Sequence, residues 1–180
     1  MNTAVLVIDM QIDVVARAFR RAEIVANIAR LVNQARENAI PLIWVQHSDD
    51  GLVKGSDGWA YVPELQIQES EPVVHKVFGD SFEGTNLEEL LQSAGIQRLV
   101  VCGAQTDACV RSTLHGAIAR GYDALLVSDA HTTDDCEHTD PAISAEQIIA
   151  HTNSYWQWQR TPNATGGSIT AAEVVSQWAS

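Results

Sequence analysis

Residues 99–121 read LVVCGAQTDACVRSTLHGAIARG, and they predict a buried strand followed by a helix. The apolar run 99–102 has the length and composition of a strand in a parallel sheet. Gly103 interrupts this run. From Asp107 to Arg120 apolar residues recur at a spacing of about 3.6 residues, and Gly121 is typical of a helix end. This stretch therefore predicts one strand–loop–helix unit of an α/β fold.

Cys109 lies in the first turn of that predicted helix, just past the junction with the strand. The first turn of a helix carries unpaired N–H groups and the positive end of the helix dipole, which lower the pKa of a thiol. Because the thiolate is the nucleophilic form, we predict that Cys109 is a catalytic nucleophile. The alternative is an ordinary helix residue. Cys102 lies inside an apolar strand and Cys136 lies in an acidic loop, so neither competes for this role.

Length and composition predict one domain spanning residues 1–180. The chain has 180 residues, 46% of them hydrophobic, which suffices for one core but not for two ordinary domains. It contains no apolar run of about 18 residues and does not begin with a secretion-signal pattern. Its net charge of −12 repels nucleic acid and anionic membranes. With three scattered cysteines that favour reduced thiols, we expect a cytoplasmic protein with no nucleic-acid or membrane partner.

Strand-like and helical segments alternate along the chain. Apolar runs predict strands at residues 3–9, 41–47, 73–77, 99–102 and 123–130, and helical spacing predicts helices at 22–38, 86–94, 107–120, from 141 onward and around 171–177. Thr85 with Glu88 is typical of a capping box. The alternation indicates a three-layer αβα, Rossmann-like fold, with an open, mostly parallel sheet and helices on both faces. Residues 48–72 are expected to form a long functional loop.

Asp9 and Lys76 fall at the carboxyl ends of predicted strands, at the sheet edge where open α/β sheets bind ligands. Asp9 ends a buried strand, so its carboxylate needs a partner or a task, although it could simply cap a neighbouring loop. Lys76 lies in the apolar segment VVHKVF, where an ammonium is costly unless it is paired. The alternative for Lys76 is an edge-strand lysine whose ammonium reaches water. Together with Cys109, these residues would supply a base, a positive charge and a nucleophile.

Three segments in order and spacing resemble the isochorismatase-like cysteine hydrolase family. They are VLVIDMQID at 5–13, VVHKVFGDSF at 73–82 and VVCGAQTDACVRSTLHGAIARGYDALLVSDA at 100–130. The resemblance covers about residues 3–151. The family includes nicotinamidases, N-carbamoylsarcosine amidohydrolases, ureidoacrylate amidohydrolases and isochorismatases, and the resemblance implies their isochorismatase-like fold.

The resemblance also implies a catalytic triad of Asp9, Lys76 and Cys109. In that arrangement Asp9 takes the thiol proton, Lys76 holds the pair in position, and Cys109 attacks a carbonyl to form an acyl-enzyme that water hydrolyses. The family further implies a cis peptide bond between Ala104 and Gln105. That bond would direct the backbone N–H groups of Gln105 and Cys109 at the developing oxyanion, forming an oxyanion hole.

One departure from the family concerns metal. Nicotinamidases of this family bind a metal through an aspartate and histidines that follow the second strand. Residues 46–59 read QHSDDGLVKGSDGW and contain a single histidine, His47. We therefore predict no metal and no other cofactor, and we disfavour nicotinamidase activity. A second conceivable set, in the segment 131–138, is interpreted as an acidic solvated loop.

The retained triad favours hydrolysis of a C–N bond in a small-molecule amide or ureido substrate. The alternatives are a vinyl-ether hydrolase of the isochorismatase type and a non-catalytic binding or assembly protein. Candidate substrate contacts are the polar residues Gln11 and His47 and the aromatic residues Phe19, Trp59 and Phe82. Each of these aromatic residues could instead belong to the core. Since the family forms homodimers and homotetramers, we expect a subunit interface, or else a covered sheet edge, at Tyr155, Trp156 and Trp158.

Overall fold

A six-stranded parallel sheet forms the centre of the computed structural model, which describes residues 2–178. Its strands are β1 (Thr3–Ile8), β2 (Leu42–His47), β3 (Val73–Lys76), β4 (Arg98–Ala104), β5 (Asp123–Thr132) and β6 (Gly166–Ile169). Their order across the sheet is β3-β2-β1-β4-β5-β6, and every neighbouring pair is parallel. This order places β1 and β4 at the middle of the sheet, so the chain reverses its direction of winding there.

Helices cover both faces of the sheet. They are α1 (Arg21–Glu37), α2 (Leu87–Ser93), α3 (Arg111–Ala119), α4 (Ala145–Trp156) and α5 (Ala171–Trp178), with a π-helical segment (Thr106–Val110) leading into α3. Buried residues of α1 and α5 share one apolar cluster, and those of α2, α3 and α4 share the other. Strand β1 supplies Val5 and Val7 to the first cluster and Leu6 and Ile8 to the second. The three-layer αβα prediction is confirmed.

The sequence placed the first five strands and α1 within a few residues but mispredicted three other features. Strand β6 was not predicted. Helix α4 begins at Ala145 rather than near Pro141, because a capping box joins the side chains and backbone of Ser144 and Gln147. The capping box expected at Thr85 does not form: Asn86 precedes α2, and Thr85 Oγ1 accepts only the N–H of Leu87, at 3.2 Å.

The carboxyl ends of four strands meet at one edge of the sheet. Register pairs Ile8 with Gly103 and His47 with Lys76, so the residues that follow β1, β2, β3 and β4 share that edge. Gly103 makes this approach possible. Its φ is +120°, and a Cβ built there would lie 2.0 Å from the Ile8 carbonyl oxygen. Only glycine fits at a position with this conformation and this contact.

Within residues 2–178, no helix combines the length and apolar character needed to span a membrane.

Candidate active site

Asp9, Lys76 and Cys109 meet at this sheet edge. Lys76 Nζ lies 2.7 Å from Asp9 Oδ2 and 3.0 Å from Cys109 Sγ. Asp9 and Lys76 are only 1% and 2% exposed, whereas Cys109 is partly buried. Asp9 follows β1, Lys76 ends β3 and Cys109 lies in the π-helical segment after β4. Three residues that are distant in the sequence are therefore brought into direct contact.

The Lys76 ammonium is surrounded by acceptors. Besides Asp9 and Cys109, its Nζ lies 3.2 Å from the Phe78 carbonyl oxygen and 3.3 Å from His47 Nδ1. An ammonium has three protons, so these four acceptors satisfy it completely. The alternative of an edge-strand lysine reaching water is therefore wrong, although β3 is indeed an edge strand. Removing one partner of a buried ion pair generally costs about 3–5 kcal/mol.

Burial dominates the protonation of the acid and the thiol. Burial raises the pKa of Asp9, while the Lys76 ammonium opposes that rise. Burial and the adjacent Asp9 carboxylate raise the pKa of Cys109 to about 12, with Lys76 acting in the opposite direction. The prediction that a helix N-terminus lowers the pKa of this thiol is wrong. Desolvation and a neighbouring anion set the direction of the shift.

These charges restrict how the thiol can ionise. With a neutral thiol, the Lys76 and Asp9 charges cancel. Losing the thiol proton to water would leave two anions beside one buried cation, which is costly because the surrounding protein partly desolvates them. Moving the proton from Cys109 Sγ to Asp9 keeps the group neutral, and the raised pKa of Asp9 favours that transfer. The arrangement can thus supply a nucleophilic sulfur without releasing a proton.

The turn between β4 and the π-helical segment is firmly held. The peptide bond between Ala104 and Gln105 is cis. Thr106 is fully buried, and its Oγ1 lies 2.8 Å from His131 Nδ1. The His131 Nε2 lies 3.0 Å from Asn153 Oδ1, and burial lowers the pKa of this histidine to about 4. The interpretation of His131 as part of a solvated loop is therefore wrong, since it is a buried neutral bridge.

A cleft of about 480 Å³ opens beside Cys109. It is lined by Asp9, Asp13, Val14, His47, Asp49, Gly51, Leu52, Gln105, Ala108 and Cys109. Lys76 cancels the charge of Asp9, but the other two carboxylates of the lining, Asp13 and Asp49, have no lysine or arginine beside them in the lining, so the cleft is electronegative. Of the candidate substrate contacts only His47 lies in it. Asp13, Val14 and Leu52 were not anticipated because they come from irregular segments, where periodicity carries no information.

Gln11 does not face the cleft as a substrate contact. It is fully buried, and its Nε2 donates to the carbonyl oxygens of His47 at 3.0 Å and Trp59 at 2.9 Å. Its Oε1 accepts the His47 N–H at 2.9 Å. Both the amide nitrogen and the amide oxygen of Gln11 are therefore bound to backbone groups. Gln11 thereby fixes the end of β2 against the loop 48–72.

The three aromatic candidates also lie outside the cleft. Phe82 is 5% exposed and stacks on Tyr122 in the core. Phe19 lines a separate groove with Arg17. Trp59, in the loop 48–72, stacks on His75 of β3, and its Nε1 donates to the Ser48 hydroxyl. The prediction that these three aromatic residues contact substrate in the cleft is therefore not supported by their positions.

The aromatic segment near the end of the chain divides between core and surface. Trp156 is fully buried, and its Nε1 donates to the Ala124 carbonyl oxygen at 2.9 Å. The expectation that it lies at a subunit interface is therefore wrong, because the indole is part of the chain's own core. Tyr155 stacks on His115, and Trp158 is 73% exposed. A subunit interface at these two residues stays a prediction.

The site was also tested for its fit to a metal ion. Among residues 2–178, the one group of three close metal-ligating side chains is Asp9, His47 and Cys109, whose ligand atoms lie within 4.8 Å of one another. The Lys76 ammonium contacts all three, at 2.7–3.3 Å. An ion bound there would have to displace a buried cation that the protein already provides. These residues therefore do not fit a metal.

Comparison with known proteins gives the same family over most of the chain. The isochorismatase domain model matches residues 3–152. A probable inactive nicotinamidase from Arabidopsis thaliana is 31% identical, over 87% of this chain and 94% of that protein. Ureidoacrylate amidohydrolase from Agrobacterium fabrum is 30% identical, over 69% of this chain and 53% of that protein. An isochorismatase structure from Pseudomonas putida has a TM-score of 0.86 and 29% identity, covering 96% of this chain and 89% of its own.

Proposed function

Because the chain belongs to the isochorismatase domain family, we propose that it is a cysteine hydrolase that cleaves a C–N bond of a small molecule. The observation that carries the proposal is the contact of one buried ammonium with both a carboxylate and a thiol. Lys76 Nζ lies 2.7 Å from Asp9 Oδ2 and 3.0 Å from Cys109 Sγ, beside an open cleft. Burying the Asp9–Lys76 ion pair costs desolvation energy that a hydrophobic pair would not, which indicates that the pair has a task.

The first step transfers the Cys109 proton to Asp9 as Sγ attacks the substrate carbonyl carbon. Lys76 remains an ammonium and stabilises the forming thiolate. The carbonyl oxygen becomes an oxyanion, and the backbone N–H groups of Gln105 and Cys109 donate hydrogen bonds to it. Each such donor is worth roughly 3–4 kcal/mol in the transition state.

The second half of the reaction releases both products. The tetrahedral intermediate collapses, the C–N bond breaks, and Asp9 returns the proton to the leaving nitrogen, which leaves a thioester on Cys109. Water then attacks the thioester with Asp9 as base, and the acid product and the free thiol are released. The proton count closes, and the reaction consumes only water.

The C–N bond is favoured by the chemistry of a thiol and by one of the relatives. A thiol forms an acyl-enzyme from an amide or ureido carbonyl, whereas a vinyl ether offers no carbonyl to attack. The Agrobacterium fabrum relative is named an amidohydrolase. A cleft of about 480 Å³ suits a small molecule.

Activity against a panel of small amides and ureido compounds tests the proposal. We expect turnover of at least one compound, loss of turnover after stoichiometric alkylation by iodoacetamide, and protection by that substrate. Peptide mapping should place the alkyl group on Cys109. Alkylation of Cys136 alone with loss of activity would refute the assignment of the nucleophile.

A non-catalytic binding protein is the second candidate, and one relative is named as a probable inactive enzyme. This candidate predicts tight binding of a small ligand in the cleft without turnover. Calorimetric titration of the same compounds separates the two functions. Binding with no product after prolonged incubation favours the second.

A further inference from the structure

We propose that His47 and Asp49 form a positioning pair that aims the Lys76 ammonium at Asp9 and Cys109. The three side chains form a line of contacts. Lys76 Nζ lies 3.3 Å from His47 Nδ1, and His47 Nε2 lies 3.2 Å from Asp49 Oδ2. The inference rests on the proposed function for the role of Lys76, and it assigns to His47 a task other than substrate contact.

The chemistry of the two neighbours fixes which ring nitrogen of His47 carries the proton. An ammonium only donates hydrogen bonds, so Nδ1 must present its lone pair to Lys76. A carboxylate only accepts, so Nε2 must carry the hydrogen that faces Asp49. A carboxylate that sets the tautomer and the ring orientation of a histidine is a recurring arrangement in catalytic and metal sites.

Hydrogen bonds between side chains and backbone groups hold both members of the pair in place. The Gln11 side chain binds the N–H and the carbonyl oxygen of His47, at 2.9 and 3.0 Å. Asp49 Oδ1 accepts the N–H groups of Gly51 and Leu52, at 2.8 and 2.7 Å. These bonds hold the pKa of Asp49 below its usual range, so this carboxyl is ionised. Asp49 therefore offers Oδ2 to His47 as a fixed acceptor.

The buried ammonium needs this orientation. Lys76 is the last residue of an edge strand, and its long side chain has many rotamers to lose. Asp9 and Cys109 both lie on the β1–β4 side of it, across β2 in the sheet. His47 ends β2 and is paired in register with Lys76, so its ring provides a contact from the adjacent strand. Loss of that contact would let the ammonium shift away from Sγ.

Four variants separate positioning from packing, with alkylation of Cys109 by iodoacetamide as the readout. His47→Leu removes the acceptor, whereas His47→Asn keeps an oxygen where Nδ1 lies. Asp49→Asn keeps an acceptor for the loop N–H groups but can place an N–H opposite His47 Nε2. A donor at that position favours the tautomer of His47 with its proton on Nδ1, where it faces the Lys76 ammonium. The fourth variant combines Asp49→Asn with His47→Asn.

We expect His47→Leu and Asp49→Asn each to slow alkylation about fivefold to tenfold at constant pH, as weakening one charge-assisted hydrogen bond would do. His47→Asn should stay within about twofold of the parent protein, and adding Asp49→Asn to it should have no further effect. His151→Leu, at an exposed histidine of α4 whose ring contacts Tyr155, is the matched control and should not change the rate. Equal losses in His47→Leu and His47→Asn, or an Asp49→Asn effect of equal size in both backgrounds, would overturn the proposal.

The tautomer gives a second test that needs neither a substitution nor a substrate. In ¹⁵N NMR spectra of the imidazole groups, His47 should show a protonated Nε2 and an unprotonated Nδ1 at neutral pH. A protonated Nδ1 would overturn the proposal even if every variant folded poorly. Because neither measurement uses turnover, failure of the hydrolase proposal would appear separately, as absence of product.

Discussion

The proposed role of Asp9 as proton acceptor can be tested through the pH dependence of Cys109 alkylation. If the thiol had to lose its proton to water, its reactivity would follow the pKa of about 12. At pH 8 only about one thiol in 10⁴ would then be ionised, and the rate would rise about tenfold per pH unit. If the proton instead moves to Asp9, the reactive form has the same net charge as the resting form. Its population is then independent of pH.

We therefore expect the parent protein to show a nearly flat rate, changing by less than about threefold between pH 6.5 and 9. On the acid side the rate should fall as Asp9 becomes protonated, at a pH above the ordinary carboxyl value because its pKa is raised. Asp9→Asn removes the acceptor. It also removes an anion that raises the pKa of the Cys109 thiol. The variant should therefore be recognised by its slope, a rise of about tenfold per pH unit below that thiol pKa, rather than by its rate at neutral pH.

The assay is the pseudo-first-order rate of iodoacetamide labelling, followed by mass spectrometry. A Cys136→Ser background removes the other cysteine that is not fully buried. Asp57→Asn, an exposed acid of the long loop, is the matched control and should keep the flat profile. A tenfold rise per pH unit in the parent protein, or a flat profile in Asp9→Asn, would refute the assignment of Asp9 as the base.

Three further predictions concern stability and specificity. Lys76→Met leaves Asp9 unpaired and should lower the free energy of unfolding by about 3–5 kcal/mol at pH 7. Measured by urea unfolding, this loss should shrink toward pH 4.5, because a buried carboxyl with a raised pKa is then increasingly protonated. Equal losses at both pH values would contradict this. Gly103→Ala should lower the free energy of unfolding by more than about 3 kcal/mol, because the new Cβ would lie 2.0 Å from a carbonyl oxygen. Gly121→Ala, with open space around it, should lower it by about 1 kcal/mol. Similar shifts of the thermal unfolding midpoint in the two variants would contradict the close approach. Among amides matched in size, neutral and cationic ones should be hydrolysed at least about tenfold more efficiently than carboxylate-bearing ones. The reason is that Asp13 and Asp49 line the cleft with no lysine or arginine to offset them, and a preference for anionic substrates in kcat/KM would contradict this.

The part of the fold that depends on apolar periodicity could be predicted from the sequence. Strands β1 to β5 and helix α1 each bury a continuous apolar run or stripe, and this signal is strong. Strand β6 reads GGSI and pairs with β5 through backbone groups, as in the pairing of Ala124 with Gly166. Backbone pairing leaves no mark in side-chain pattern, so this strand could not be predicted.

The candidate site divides in a similar way. Asp9 and Lys76 could be proposed because a charge is costly in their apolar segments, at or near the end of a strand. Cys109 could be proposed because it follows the junction between a strand and a helix. The protonation of Cys109 could not be predicted, because it depends on the burial created by the whole fold and on an acid 100 positions away. The cleft wall was also missed, since Asp13 and Leu52 belong to irregular segments whose course is set by tertiary contacts.

Trapping the acyl-enzyme tests the central claim most directly. Enzyme quenched with acid during turnover of an active amide should carry the mass of the acyl group, with the leaving amine absent. Peptide mapping should place that mass on Cys109, and Cys109→Ala should show neither adduct nor turnover. Turnover retained by Cys109→Ala, or an acyl group mapped to a different residue, would contradict the account.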